Sequence, residues 1–354
     1  MFVDLVVEPL PGAVSIEIDA VPGTELLRLR CNEQITTHRA ARALDQLVGY
    51  LNDQVIEAST ATVDVHAAAM AHPAGAATVV FVGPPGSGKT TMAAHLCRAG
   101  WTYLSDEVVG VRIDDGALEG FPKPLTIKTG LHETLGLDLS AFSIDVEHQQ
   151  RWYVRPALLG ATPTAAAPAP TDVVFVDFDP VATTTELVEL APHDALVGLL
   201  TNVFRVERHR DELLVSLGRL VAGARAWRLR TGDADKAIAQ LVAAIAQTDP
   251  ADRDWIEQRS PMEPAAGRGP RPAPGTVFFG FTDGGAVVFD QERSEAISLD
   301  ITGADIWLAL DGMRTTTELI NRLATSYATN TGDIAHDVEG AVASMVAEGF
   351  VIEP

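Results

Sequence analysis

The chain has 354 residues, of which 47% are hydrophobic and 21% charged, an ordinary composition that argues against extensive disorder. Its 26 basic and 48 acidic residues give a formal net charge of −22, which disfavours nucleic-acid binding. No stretch approaches the roughly 18 apolar residues of a membrane-spanning helix, and the start lacks the basic segment of a signal peptide. Two cysteines, Cys31 and Cys97, cannot form a disulfide framework. We therefore expect a cytoplasmic protein with no nucleic-acid or membrane partner.

Residues 1–62 are predicted to form a strand-rich accessory segment. Pro-Gly pairs at 11–12 and 22–23 divide its apolar runs into short pieces. Apolar residues at helical spacing then predict a helix over 37–53. The predicted strands lie at 5–7, 14–18 and 25–30.

Residues 63–247 are predicted to form an α/β domain with a mostly parallel sheet. The apolar run 77–82 is typical of a buried strand. A helix from about Thr90 to Ala99 follows and ends at Gly100, and the next strand is 101–104. This strand–loop–helix–strand order is the basis of the α/β prediction. Further on, the pattern predicts a strand at 173–178 and helices at 193–204, 211–224 and 233–247.

Residues 248–274 are rich in proline and lack apolar periodicity, so we predict an interdomain linker. Residues 275–354 then form a separate domain. Its strands 276–282 and 286–290 face each other across Asp283-Gly284-Gly285, a strong hairpin signal. A third strand at 295–299 and helices at 302–310, 315–328 and 331–348 follow, with Thr302 and Thr315 as expected N-caps.

The strongest chemical signal is a complete phosphate loop, Gly83-Pro84-Pro85-Gly86-Ser87-Gly88-Lys89-Thr90, between a buried strand and a helix. Its glycines let backbone N–H groups point at phosphate oxygens, and the helix N-terminus adds partial positive charge. Lys89 is expected to reach the β- and γ-phosphates, and Thr90 to place its hydroxyl on Mg²⁺. The sequence thus predicts ATP and Mg²⁺ as cofactors, bound by residues 83–90 and Thr91.

Acidic residues follow two of the predicted strands. Asp106 and Glu107 come where a parallel sheet would place them beside the phosphate loop. One carboxylate can hold Mg²⁺ while the other accepts a proton from an attacking hydroxyl, although a solvated acidic turn is the alternative. Asp177, after the apolar run 173–176, looks like a Walker B aspartate of an ATPase, or else caps a turn. Spacing does not decide between Asp106 and Asp177.

Two further residues near the loop have open roles. His66, on an apolar stretch seventeen residues before Gly83, is either structural or functional. Cys97, on the helix after the loop, is expected to be a small buried apolar residue. No histidine–cysteine cluster has zinc spacing, and no Ser-His-Asp arrangement is recognisable.

Residues from about 63 to 130 resemble the catalytic domain of HPr kinase/phosphorylase. The shared features are His66, the phosphate loop, Gly100 at the helix end, and the Asp106-Glu107 pair. The resemblance implies a fold akin to phosphoenolpyruvate carboxykinase and ATP-dependent phosphorylation of a serine hydroxyl. It also implies Asp106 as catalytic base, Glu107 as a metal-associated acid beside Thr90, and His66 as part of the active site.

One segment departs from that family's pattern. Leu125-Thr126-Ile127-Lys128-Thr129 stands where the family has Leu-Glu-Ile-Arg-Gly. The resemblance therefore does not carry over the reverse phosphorylase reaction or HPr as the partner. The chain looks more like kinase relatives from gene clusters for modified peptides.

Residues 275–354 resemble PqqD. The shared features are the hairpin, the run Ala304-Asp305-Ile306-Trp307 leading to Leu310-Asp311-Gly312, a threonine-rich helix start, and Glu348-Gly349-Phe350. The resemblance implies a small winged-helix-like α+β domain that recognises leader peptides of ribosomally made, modified peptides, the leader adding as a strand. A winged-helix DNA reader has a similar element order, but thirteen acidic residues against three arginines argue against DNA.

The resulting hypothesis is a fused enzyme. Residues 275–354 bind the leader of a precursor peptide, and residues 63–247 phosphorylate a core hydroxyl, with serine as the expected acceptor. Other peptide-modifying enzymes are further expected partners, and a homo-oligomer is left open. Two alternatives stay open: a kinase of a free metabolite whose last domain binds another enzyme, and a non-catalytic nucleotide switch that delivers a peptide.

Overall fold

The computed structural model describes residues 16–24, 26–31, 34–128, 130–137, 144–146, 149–247, 251–260, 267–282 and 284–354. The chain divides into a smaller unit, residues 1–60 with 124–155, and a larger unit, residues 61–123 with 156–354. Residues 124–155, predicted within the catalytic domain, thus group with the N-terminal segment. The strand predicted at 5–7 lies outside the described residues. No described helix is long and apolar enough to cross a membrane.

The observed elements are numbered in chain order. The helices are α1 (Ala40–Ala58), α2 (Lys89–Arg98), α3 (Leu131–Thr134), α4 (Pro192–Leu200), α5 (Leu213–Gly223), α6 (Ala234–Gln247), α7 (Ile301–Ala309), α8 (Thr316–Ser326) and α9 (Thr331–Ala347). The strands up to residue 128 are β1 (Ile16–Ala20), β2 (Leu26–Cys31), β3 (Gln34–Arg39), β4 (Thr62–Ala71), β5 (Thr78–Val82), β6 (Thr102–Ser105), β7 (Val108–Arg112), β8 (Leu118–Gly120) and β9 (Leu125–Lys128). The later strands are β10 (Ile144–Val146), β11 (Gln149–Val154), β12 (Ala166–Ala167), β13 (Asp172–Phe178), β14 (Glu186–Glu189), β15 (Arg225–Thr231), β16 (Trp255–Arg259), β17 (Arg271–Pro272), β18 (Thr276–Phe281), β19 (Ala286–Asp290), β20 (Glu295–Leu299) and β21 (Val351–Ile352).

The smaller unit contains two antiparallel three-stranded sheets, ordered β1-β2-β3 and β10-β11-β9. Helix α1 packs on the first, where Leu29, Ala43 and Leu47 form a small buried cluster. The Tyr153 hydroxyl donates a hydrogen bond to Asp45 of α1.

The larger unit is built on a mixed sheet of order β12-β8-β7-β4-β5-β13-β15-β14, with β6 also pairing with β4. Among the strands that the structure describes in this sheet, only β5, β13 and β15 pair in parallel, so the prediction of a mostly parallel sheet is wrong. The short turn between β4 and β5, residues 72–77, allows only an antiparallel pair, because parallel neighbours need a long crossover. Strand β6 is antiparallel to β4 and therefore runs in the same direction as β5. Its carboxyl end consequently lies at the phosphate-loop side of the sheet.

A second sheet, β16-β18-β19-β20, belongs to the C-terminal domain, and its central strands β18 and β19 are buried on both faces. Alternate residues of β18 enter two different cores. Phe278 packs with Trp307 and the helices α7 to α9. Phe279 packs with α4 and α5 of the preceding domain, where Gly218 makes room for its ring. The C-terminal sheet and the phosphate-loop domain thus share one hydrophobic core.

The structure differs from the linker predicted for residues 248–274. Trp255–Arg259 forms β16, which pairs with β18, and Arg271–Pro272 forms β17, which pairs with β21. The Trp255 ring stacks on Phe279 at 5.0 Å. Glycine is required at Gly267 and Gly269, since a Cβ there would lie 2.0 and 1.7 Å from carbonyl oxygens of the C-terminal domain. Proline and glycine serve close backbone packing here, a use that composition alone does not distinguish from a linker.

Of the two predicted N-caps, one is confirmed. Thr315 accepts from the Glu318 amide and forms a capping box that begins α8. The cap of α7 is Asp300 and not Thr302, because the Asp300 carboxylate accepts from the Gly303 amide at 2.7 Å.

The shared core predicts that the two domains of the larger unit unfold together. Phe279→Ala is expected to lower the free energy of unfolding by about 3–5 kcal/mol, the usual cost of truncating a buried phenylalanine. Urea denaturation followed by circular dichroism should show one shifted transition. Leu308→Ala, at an exposed position of α7, is the control and should change little. Two transitions within the larger unit, of which only one shifts, would contradict the shared core.

Candidate active site

The phosphate loop joins β5 to α2 and is shaped by three glycines with positive φ. Gly83, Gly86 and Gly88 have φ of 148°, 90° and 104°. A Cβ on Gly83 would lie 2.7 Å from the Ser87 hydroxyl, and one on Gly88 would lie 2.9 Å from Phe178. The loop therefore needs glycine for both its conformation and its packing against β13.

Lys89 is buried and its ammonium group lies against the loop. Its Nζ donates to the carbonyl oxygens of Gly83 and Pro84 at 2.6 and 3.1 Å. The predicted cofactor residues Pro84, Pro85 and Gly86 form the exposed tip of the loop. The charge of Lys89 thus lies inside the phosphate loop, where the nucleotide phosphates are predicted to bind.

Asp106 is the hub of the polar contacts behind the loop. It is 4% exposed, and its Oδ1 accepts from the Tyr103 hydroxyl at 2.9 Å and from Lys123 Nζ at 2.7 Å. Its Oδ2 accepts from the Thr90 hydroxyl at 3.2 Å. Burial, with the charge of Asp106 beside it, raises the pKa of Tyr103 well above its usual range, so this hydroxyl stays a donor. The structure brings Lys89, Thr90 and Asp106 together.

Glu107 lies at the rim of the same cluster. Its side chain is 41% exposed, and its Oε2 is 3.4 Å from Lys123 Nζ. Burial alone would lower the pKa of Lys123, but the charges of Asp106 and Glu107 outweigh it and raise that pKa. Lys123 is therefore a cation between two carboxylates.

Tyr103 and Lys123 were missed by the sequence reasoning. Tyr103 lies in a predicted strand and looks like a core aromatic. For Lys123 there was a signal, since only four of the 26 basic residues are lysines. An isolated lysine between two prolines in an otherwise arginine-using chain is unusual.

His66, on β4, is half-buried near the acidic pair. Its backbone amide donates to the Asn202 carbonyl at 2.7 Å, and its ring is 5.7 Å from that of Phe204. Burial, and then the charge of Lys89, lowers the pKa of His66, so the ring is neutral at pH 7. His66 therefore lies close enough to belong to the site, but its ring makes no hydrogen bond among the described contacts.

The rival acid lies apart from the cluster. Asp177 is exposed at the end of β13, and its carboxylate is 3.8 Å from Arg230. Neither Lys89 nor Thr90 contacts it among the described hydrogen bonds.

Cys97 is fully buried, as predicted, and burial followed by the charge of Asp106 raises the pKa of its thiol to about 12. This thiol is therefore not a nucleophile at neutral pH.

The residues fit a magnesium nucleotide. The Ser87 hydroxyl is buried without a hydrogen-bond partner among the described residues, as expected for a group that awaits one. In the described part of the chain no three histidine, cysteine, aspartate or glutamate side chains gather into a metal site. Thr90 with Asp106 and Glu107 offers the one or two carboxylates that Mg²⁺ takes when phosphates and water complete its shell.

Comparison with known proteins supports the C-terminal assignment. Residues 285–351 match the family model of coenzyme PQQ synthesis protein D (PqqD). This match supports a PqqD-like peptide-recognition domain at the C-terminus. It does not reach residues 63–247, so the HPr-kinase-like assignment stays a prediction from the residues themselves. No curated protein matches the chain.

The loop geometry predicts that Lys89→Met abolishes productive nucleotide binding. Methionine keeps the apolar stem while removing the charge that would face the phosphates, so turnover should fall by roughly 10²–10³-fold. Calorimetry with Mg²⁺ and ATP measures binding, and release of labelled phosphate measures turnover. Lys236→Met removes an exposed lysine on α6 as the control. Near wild-type ATP binding by Lys89→Met would refute the nucleotide site.

Proposed function

We propose that this protein is an ATP-dependent kinase that phosphorylates a hydroxyl, that of serine in the first instance, on a peptide held by its PqqD-like domain. The observation that carries the proposal is the gathering of Lys89, Thr90 and Asp106 at a phosphate loop. This site belongs to the same compact unit as the matched PqqD region. ATP and Mg²⁺ are the proposed cofactors.

The two oxygens of Asp106 have different surroundings, which suggests how it would act as general base. Oδ1 is held by Tyr103 and Lys123, while Oδ2 has one longer hydrogen bond, from Thr90. Oδ1 would therefore anchor the carboxylate, and Oδ2 would accept the proton of the attacking hydroxyl. When bound, Mg²⁺ would neutralise charge on the transferred phosphoryl group. Lys89 would hold the phosphate oxygens in place.

The sheet edges indicate where a peptide would add. The outer edge of β18 is covered by β16, so the hairpin itself has no open side there. The outer strand within the matched region is β20, whose Glu295 and Ser298 are exposed. We place the leader along β20, where its backbone would extend the sheet.

The proposal is tested by transfer of labelled phosphate from ATP. Short peptides encoded beside the gene serve as substrates, each with and without its N-terminal leader, together with a panel of hydroxyl metabolites. Transfer to the leader-bearing peptide, with a higher apparent KM for the leaderless form, is expected. Transfer to metabolites alone would favour the metabolite kinase, and no transfer the non-catalytic switch.

The roles of the two aspartates are separable in the same assay. Asp106→Asn should lower turnover by roughly 10²–10⁴-fold, the usual cost of losing a general base. Asp177→Asn is the matched control and should stay within a few-fold of wild type, because among the described residues its carboxylate pairs with the exposed Arg230 and not with the loop. A reversed order of the two effects would favour a conventional Walker ATPase.

Leader docking on β20 is tested by hydrogen exchange of the whole protein. Adding the leader peptide should slow amide exchange within 295–299, because outward N–H groups of an edge strand gain partners. Strand β16, residues 255–259, is the internal control, since it is the other outer strand of the sheet. Protection confined to β16 would contradict the proposed docking edge.

A further inference from the structure

The acidic pair of the site is bridged by a buried cation that belongs to neither the phosphate loop nor its helix. Lys123 is 6% exposed, with its Nζ 2.7 Å from Asp106 Oδ1 and 3.4 Å from Glu107 Oε2. We propose that Lys123 is a positioning residue that occupies the space between these carboxylates and keeps divalent cations from binding there until a nucleotide arrives. The inference rests on the proposed function and adds an order of binding, in which the nucleotide binds before, or together with, the divalent cation.

The charges around the site support this role. Lys89 and Lys123 balance Asp106 and Glu107, so these four side chains sum to zero without a nucleotide. Without a nucleotide, a dication that approaches Asp106 and Glu107 would be repelled by Lys123, whose ammonium group already lies within hydrogen-bond distance of both carboxylates. Nucleotide phosphates add negative charge and further oxygen ligands, which offset that repulsion.

The chemistry of lysine suits the position. An ammonium group is a compact point charge with three donors, so it can contact two carboxylates that diverge. A guanidinium group is a planar fork that favours one bidentate carboxylate. Lys123 also lies between Pro122 and Pro124, which restrict its backbone. Its amide donates to the Phe121 carbonyl at 2.8 Å, so the ammonium is presented from a fixed turn.

The experiment measures Mg²⁺ binding to the protein without nucleotide, using the concentration of Mg²⁺ that half-saturates a thermal shift. Lys123→Met removes the charge and keeps the stem. It should lower the half-saturating concentration at least about tenfold. A neighbouring positive charge weakens a carboxylate's affinity for a proton by roughly one to three orders of magnitude, and it opposes a dication in the same direction. Lys123→Arg keeps the charge and should lower the half-saturating concentration far less than Lys123→Met does. Lys236→Met controls for loss of a distant lysine. An unchanged or higher half-saturating concentration in Lys123→Met overturns the inference.

A measurement on the wild-type protein decides the matter if Lys123→Met does not fold. Mg²⁺ alone should give no thermal shift at a concentration where Mg²⁺ with a non-hydrolysable ATP analogue gives a clear one. An equal shift from Mg²⁺ alone overturns the inference. Failure of the nucleotide site looks different, because the analogue would then give no shift with or without Mg²⁺. Failure of the kinase activity alone would leave the analogue's shift in place and appear as absent phosphoryl transfer.

A kinetic readout separates positioning from a merely structural role. In phosphoryl transfer, Lys123→Met should lower kcat, since Asp106 loses the donor that fixes Oδ1, and leave the KM for ATP nearly unchanged. Lys123→Arg should restore part of kcat. A raised KM for ATP with unchanged kcat would contradict the positioning role.

Discussion

The buried carboxylate of Asp106 is the interaction on which the candidate site depends. It receives hydrogen bonds from three elements: Thr90 of α2, Tyr103 of β6, and Lys123 beyond β8. Burying an unpaired carboxylate is costly, so these donors stabilise the fold that holds it. The same contacts fix the start of α2, and with it the phosphate loop, relative to the acidic pair. Stability and site geometry thus rest on one set of hydrogen bonds.

The second constraint is the two-faced sheet of the C-terminal domain. Neither face of β18 is free, because Phe278 and Phe279 enter different cores. A domain on a flexible linker would deliver a bound peptide by raising its effective concentration. Here the peptide-recognition sheet is instead held in the core of the larger unit. Any variation in the distance between a peptide's bound segment and the candidate site would then come from the peptide itself.

How far the sequence predicted this structure depended on the range of the interactions involved. The phosphate loop, the helices α4 to α9 and the strands β18 to β20 follow local patterns, and each lies within a few residues of its prediction. The parallel sheet and the linker were mispredicted because strand direction and the packing of Trp255 on Phe279 depend on distant residues. Lys123 was missed for the same reason, since its partners are sixteen and seventeen residues away along the chain.

Helix α4 runs from the C-terminal hairpin to β4, the strand that carries His66. At its start, His193 packs against Gly285 of the hairpin, where a Cβ would lie 2.3 Å from the imidazole. Just after its end, the Asn202 carbonyl accepts from the His66 amide and Val203 bridges to Val65. The nine residues of α4 span about 14 Å at about 1.5 Å per residue. A peptide held at β20 would need about four or more extended residues to cover that length. A hydroxyl that reaches Asp106 would therefore lie outside the bound segment of such a peptide.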